Sequence, residues 1–351
     1  MNNQDESANR EGDAPATLTR LAADIVADIA TGATIPAPIR RNALKAFGRL
    51  FTAAIEIPAA YLEGKVEEKR AETQGRVKII STAAHQIAAN MNVDSEYSRV
   101  AVKKFGERIV REQINIDNVV KIAANQIRQD ATGSIESESG KTTETAEISD
   151  DWLNNFEKEA SQKSTEEMQF LFGRILAGEI QQPSSFSIKT VKLVGELDSR
   201  VAKLFQTLCS LSITVQSSEN TFDVRVASLG GAAGANALKS YGLGFEQLNV
   251  LQEFGLIIPD YNSYMDYGAT IANEKREVPV PFLHNKQKWG LIPSTGSSSP
   301  LRVHGVALSV AGKELMKIVD MQPNDTYTAA LKEYFNTLHL KMVPITLKAK
   351  M

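Results

Sequence analysis

The chain is poor in the residues that usually announce a reaction. Among its 351 residues there is one cysteine, Cys209, so no internal disulfide can form and nothing points to an oxidising compartment. There are four histidines, His85, His284, His304 and His339, far apart in the sequence. No HExxH, no His/Cys pair at ligand spacing and no GxSxG elbow occurs, so neither a metal site nor a nucleophile elbow is legible. Long apolar runs are missing too. The longest stretches without Lys, Arg, Asp or Glu are the 15 residues Ile79–Val93 and Leu204–Ser218, both with polar residues inside. A spanning helix needs about 20 apolar ones. The first residues (MNNQDESANREGDAPA) have no apolar core and do not read as a signal peptide, which leaves a cytoplasmic protein as the expectation. Charge of one sign is also lacking: 39 Lys+Arg face 42 Asp+Glu, a net −3, which argues against nucleic-acid binding by bulk charge.

What is present is enough apolar residue, 42% with Tyr counted, to build about two cores in a chain of this length. Residues 1–16 read as a disordered tail and 17–130 as a helical assembly module. Residues 131–149 read as an acidic linker with little to bury, and 150–340 as a second domain. Within the module, Leu44, Phe47, Phe51, Ala54 and Ile55 recur at helical steps beside the basic row Arg41, Lys45 and Arg49. Arg40, Arg41, Lys45 and Arg49 are the candidate surface-binding residues. A helix near 40–57 could lay them on an anionic membrane, or they could form the solvated side of a core-facing helix. A further helix runs from about Ser95 to Arg128 on Val102, Phe105, Ile109, Ile116, Val119, Ala123 and Ile127. From Arg40 to Arg128 sixteen Lys/Arg stand against ten Asp/Glu, while in the linker extended to Asp151 Glu136, Glu138, Glu144, Glu147, Asp150 and Asp151 face only Lys141. A basic helical part is thus tethered to an acidic strip.

In the second domain Ser164 with Glu167 reads as a capping box, and Ser187, Asp198 and Ser309 read as helix caps. Phe222, Val224 and Val226 alternate with Asp223 and Arg225, a strand. A helix from Phe245 closes at Gly255, Leu256–Ile258 looks extended, 261–300 is loop with a hairpin at most, and a last helix covers 326–337. This order matches a winged helix. The expected fold class is therefore mainly α: N-terminal long helices, then an α-rich domain with a winged-helix-like C-terminal part. The helix before Gly255 has Glu246, Gln247, Asn249, Gln252 and Glu253 as its polar positions and no Lys or Arg, which opposes entry into a DNA groove. ESGKTT at 138–143 lacks the first glycine of a phosphate loop, since Ile135 stands there. Gly230-Gly231-x-x-Gly234 lacks the repeated βαβ context of a dinucleotide loop and reads as a tight connection. Cys209 sits on an apolar helix face and reads as core.

Trp152 to about Leu211, above all EEMQFLFGRILAGEIQQPSSFSIKTVKLVGELD, resembles the bacterial family called domain of unknown function 2806. FEQLNVLQEFGLI and VHGVALSVAGKEL downstream extend the resemblance over about 150–320. It implies no chemistry. A looser likeness in layout to abortive-infection proteins implies a role in phage defence or a mobile element. Together these point to a non-catalytic interaction or assembly protein, without cofactor, metal or small-molecule substrate. Its expected partner is itself or another protein. A membrane-surface effector and a winged-helix nucleic-acid regulator are the alternatives.

Overall fold

The computed structural model describes residues 29, 35–51, 95–133, 146–217, 220–272, 279–294 and 300–345. The readings of residues 1–16, 52–94 and ESGKTT, with His85 among them, lie outside that set. The chain forms two compact units, Met1–Gly195 and Glu196–Met351.

The described part of the first unit is helical: α1 Ala37–Leu50, α2 Ser95–Gly133, α3 Asp150–Ala160, α4 Glu166–Gln181 and α5 Ile188–Glu196. The core is built where α4 lies against the second half of α2. Ile116, Val119, Val120, Ala123, Ala124 and Ile127 face Phe172, Ile175 and Leu176, all buried. Gly173 sets the approach: a Cβ there would run into Ile122 of α2. Trp152 stacks on Phe156 (5.0 Å), which meets Phe172 edge-on (5.6 Å), and the Trp152 indole donates to the Phe186 carbonyl (2.7 Å). The helices on either side of residues 134–145 therefore share one core. Ser187 caps α5 by accepting from Thr190 N–H (3.2 Å). The expected capping box of Ser164 with Glu167 does not form: α4 starts after Thr165, with no side-chain cap bond.

The second unit corrects the expected fold class. It is not a mainly α domain with a winged helix. It holds a seven-stranded antiparallel sheet, so the protein is mixed α/β. The strands are β1 Ile213–Ser217, β2 Asn220–Ala227, β3 Tyr264–Asp266, β4 Phe282–His284, β5 Gln287–Pro293, β6 Arg302–Ala307 and β7 Leu340–Pro344, in the order β3-β6-β2-β1-β4-β5-β7. A winged helix keeps its strands as a small wing beside a helical core. Here the region read as loop supplies β3, β4 and β5. Leu256–Ile258 contributes only an isolated bridge, Ile257 with Leu308. Asn285 and Lys286, both with positive φ (52° and 61°), make the two-residue turn that joins β4 to β5. Helices α6 Ser199–Leu211, α7 Phe245–Glu253, α8 Val310–Met316 and α9 Asp325–Thr337 accompany the sheet. α6 packs on β2 and α7, and α9 packs on β7. The caps expected at Asp198 and Ser309 are present, accepting from Val201 N–H (2.8 Å) and Gly312 N–H (3.0 Å).

Candidate functional site

The basic row proves to be occupied from within. Arg41, Lys45 and Arg49 lie along α1 at four-residue steps and face the acidic strip. Arg41 pairs with Glu147 (3.6 Å), Lys45 with Glu147 (3.8 Å) and Asp150 (3.5 Å), and Arg49 with Asp150 (3.5 Å) and Glu157 (4.0 Å). Lys45 Nζ also donates to the Ile148 carbonyl (2.6 Å), and Arg49 donates to Asn154. Buried Asn42 grips the same segment, donating to the Ala146 carbonyl (3.2 Å) and accepting from Ile148 N–H (3.3 Å). Ile148 is driven into the core, so the linker's last residues form a strap along α1, against the expectation that they bury little. Arg40 is half-buried. On the other side of α1, Phe47, Leu50 and Phe51 are buried in the unit. A helix lying on a membrane needs that face free. Ile55, the last member of the proposed membrane face, lies outside the described residues.

Helix α2 is different. About 58 Å long at 1.5 Å per residue, it is buried on one side only in its second half. The end of α1 reaches it where Gln113 Nε2 donates to the Leu50 carbonyl (3.0 Å). Before that level the apolar stripe continues through Phe105 and Ile109 but comes into the open. Tyr97 is 69% exposed, Val100 54%, Phe105 39%, Val110 60% and Ile114 47%. Gly106, Val110 and Ile114 form a row at four-residue steps. Gly106 has nothing within 4 Å of the position its Cβ would take, so no packing within the described residues calls for a glycine there. A glycine inside a helix costs about 1 kcal/mol against alanine. Two charge pairs run along the helix itself, Lys103 with Glu107 (3.9 Å) and Arg108 with Glu112 (3.3 Å).

The polar clusters of the second unit are closed. Asp223 and Arg225, read from the alternation as the strand's polar face, are both buried. Arg225 donates through Nε and Nη2 to Asp223 (2.9 Å for Nη2), and through Nη1 to the carbonyls of Ser263 (2.8 Å) and Val303 (3.0 Å). The Tyr267 hydroxyl donates to Asp223 (3.0 Å). Burial first, then the adjacent Asp223 carboxylate, pushes that phenol well above its ordinary range. His284 is likewise enclosed. Its Nδ1 lies 3.0 Å from the Ser212 carbonyl, which can only accept, so the proton sits on Nδ1. Nε2 lies 2.9 Å from the Thr328 hydroxyl, which donates to the Asn324 carbonyl (2.9 Å) and accepts from Asn285 (2.7 Å). Burial lowers the His284 pKa, partly opposed by the Ser212 bond. Cys209 is buried, and desolvation pushes its thiol far up, the reverse of an activated nucleophile. The glycine-rich segment after β2 is a connection through short 3-10 turns at Ala233–Ala235 and Lys239–Tyr241. Among the described residues no three His, Cys, Asp or Glu side chains gather as a metal site. No described helix is long and apolar enough to cross a membrane.

Residues 101–332, about two thirds of the chain, match the family described as "Protein of unknown function (DUF2806)". The chain belongs to the DUF2806 family. No curated protein and no solved structure matches it. The DUF2806 span takes in Gly106, Val110 and Ile114 and the buried clusters of the second unit. The basic row of α1 and strand β7 lie outside it.

Proposed function

We propose that the protein is a non-catalytic assembly protein and that it self-associates through the first half of α2. The observation that carries this is the emergence of exposed apolar side chains, with Gly106, Val110 and Ile114 as one row, onto a helix surface over which no described residue packs. Val110 and Ile114, 60% and 47% exposed, lie on one side of the helix with Gly106, while Phe105, nine residues from Ile114, lies half a turn round from it. A row at i, i+4, i+8 is the ridge that two like helices interdigitate, and Gly106 is the notch that lets their backbones approach. A second copy fits this description, because a two-fold pair brings the same ridge and notch from both sides. Light scattering coupled to size exclusion of the full chain tests it. The expected result is a dimer or larger that Val110→Glu with Ile114→Glu converts to monomer without changing the melting curve. A wild-type chain that stays monomeric at every concentration overturns it. A setting in phage defence or a mobile element belongs to this proposal on layout alone. Plaque counts on cells expressing wild type or the double variant test it, and equal counts in both and in empty cells remove it.

A further inference from the structure

The sheet of the second unit ends on one side at β3, and among the described residues no strand pairs with its outer side. In the register Tyr264–His304, Met265–Val303, Asp266–Arg302, bonds to β6 leave from alternate residues: Gly305 N–H donates to the Ser263 carbonyl (2.9 Å) and Tyr267 N–H to the Leu301 carbonyl (2.7 Å). The N–H and C=O groups of Tyr264 and Asp266 therefore point away from β6, off the sheet. All three β3 residues are exposed. The opposite edge, β7, carries Lys341 and Pro344, residue types that discourage strand addition, and β3 carries neither.

The ground beside this edge is aromatic and acidic. Phe245 meets Tyr261 edge-on (6.3 Å), and Tyr264 lies against His304 (5.2 Å), whose Nδ1 is 3.1 Å from the Asn262 carbonyl. The Tyr261 hydroxyl reaches Asn249 (2.8 Å) and Gln252 (2.5 Å) on the exposed face of α7. Glu246 and Glu253 flank Asn249 on that face, and Asp260 and Asp266 are exposed on the chain running into and through β3. Against these four carboxylates stand Arg302, whose guanidinium lies 4.8 Å over the Tyr264 ring, and Lys239, packed against Gly244.

We propose that β3 receives an extended, cationic segment of a partner protein as an eighth strand. Its backbone would bond to Tyr264 and Asp266, and its Lys or Arg side chains would face the carboxylate rim. The main chain gives the footprint and the charge selects the occupant. This site is independent of α2, so each proposal can fail alone.

Fluorescence anisotropy on the full chain tests it with three labelled peptides: a repeat of Lys-Thr-Val, the same repeat N-methylated at alternate residues, and a repeat of Glu-Thr-Val. The Lys peptide should bind saturably. N-methylation, which removes strand bonds and keeps the charge, should weaken it at least about tenfold, and the Glu peptide should not bind. Glu246→Gln, Glu253→Gln, Asp260→Asn and Asp266→Asn together should weaken the Lys peptide by a similar factor. The two Asn replacements keep an oxygen to accept from Asn262 and Gly268 N–H. Absence of saturable binding, or binding indifferent to N-methylation, overturns the proposal on the wild-type protein alone, whatever the variant's folding.

Discussion

Replacing Arg225 with Met tests the reading of the second unit's core as a closed polar cluster. In the wild type the guanidinium makes four hydrogen bonds, two to Asp223 and one each to the Ser263 and Val303 carbonyls. Methionine fills much of the volume and supplies none of them. Asp223, 3% exposed, keeps only the Tyr267 hydroxyl among those partners. Leaving a buried charge without its counter-ion costs roughly 3–5 kcal/mol. For a unit of this size that is a fall in Tm of roughly 6–20 °C. The protein has two tryptophans, Trp152 in the first unit and Trp289 in the second. Trp152→Phe in every sample therefore makes the emission of Trp289 report on the second unit. A companion sharpens the result. Asp223→Asn added to Arg225→Met should regain much of the loss, since no charge is then buried. A loss below about 1 kcal/mol, or one unmoved by the companion, would show that the pair is open to solvent and refute the reasoning.

The histidine gives a pH dependence. Burial holds the folded-state pKa of His284 below its unfolded value of about 6.5, so the unfolded chain binds the proton first. Stability should be flat above neutrality and fall as pH drops from about 6.5 toward the folded value; urea midpoints read from Trp289 should lose this slope in His284→Gln, and an unchanged slope sinks the assignment. In the first unit, Ile148→Ala should cost about 2–4 kcal/mol by Trp152 emission. Glu147→Gln and Asp150→Asn, at half-exposed carboxylates, should each cost under about 1 kcal/mol; a reversed order would mean that charge, not burial, holds the strap. Cys209 should ignore a thiol reagent in the folded protein and react only as fast as the second unit opens, so rapid labelling under native conditions contradicts its burial.

Periodicity carried the helices well. The stripe from Phe105 to Ile127, the helix from Phe245 to Gly255 and the last helix near 326–337 all stand close to where their spacing put them, because a helix is decided by neighbours within a turn or two. The sheet was hidden for the complementary reason. β3 and β4 are three residues each, too short for alternation to register; β3 finds its partner at β6, and β4, besides its turn partner β5, at β1. In β2 the polar positions mislead: Asp223 and Arg225 look outward-facing until Tyr267 and the carbonyls of Ser263 and Val303 enclose them. The basic row on α1 was visible, and so was the acidic strip. What no local pattern could show is that the two meet, with Ile148 between them as the anchor. On α2 a signal was present in Val100, Val110 and Ile114, apolar residues off the main stripe, and Gly106 among them.

The strand order also bears on how the molecule is made. β2 emerges from the ribosome early, but β6, which closes one side of it and lends Arg225 a carbonyl, begins at Arg302. On the other flank β5 waits for β7, which begins at Leu340. Until residues 302–344 have been synthesised, an ion pair and two apolar strand faces have no finished shelter. Nascent chains stalled before residue 302 should accordingly engage holding chaperones, while those released after Pro344 should not.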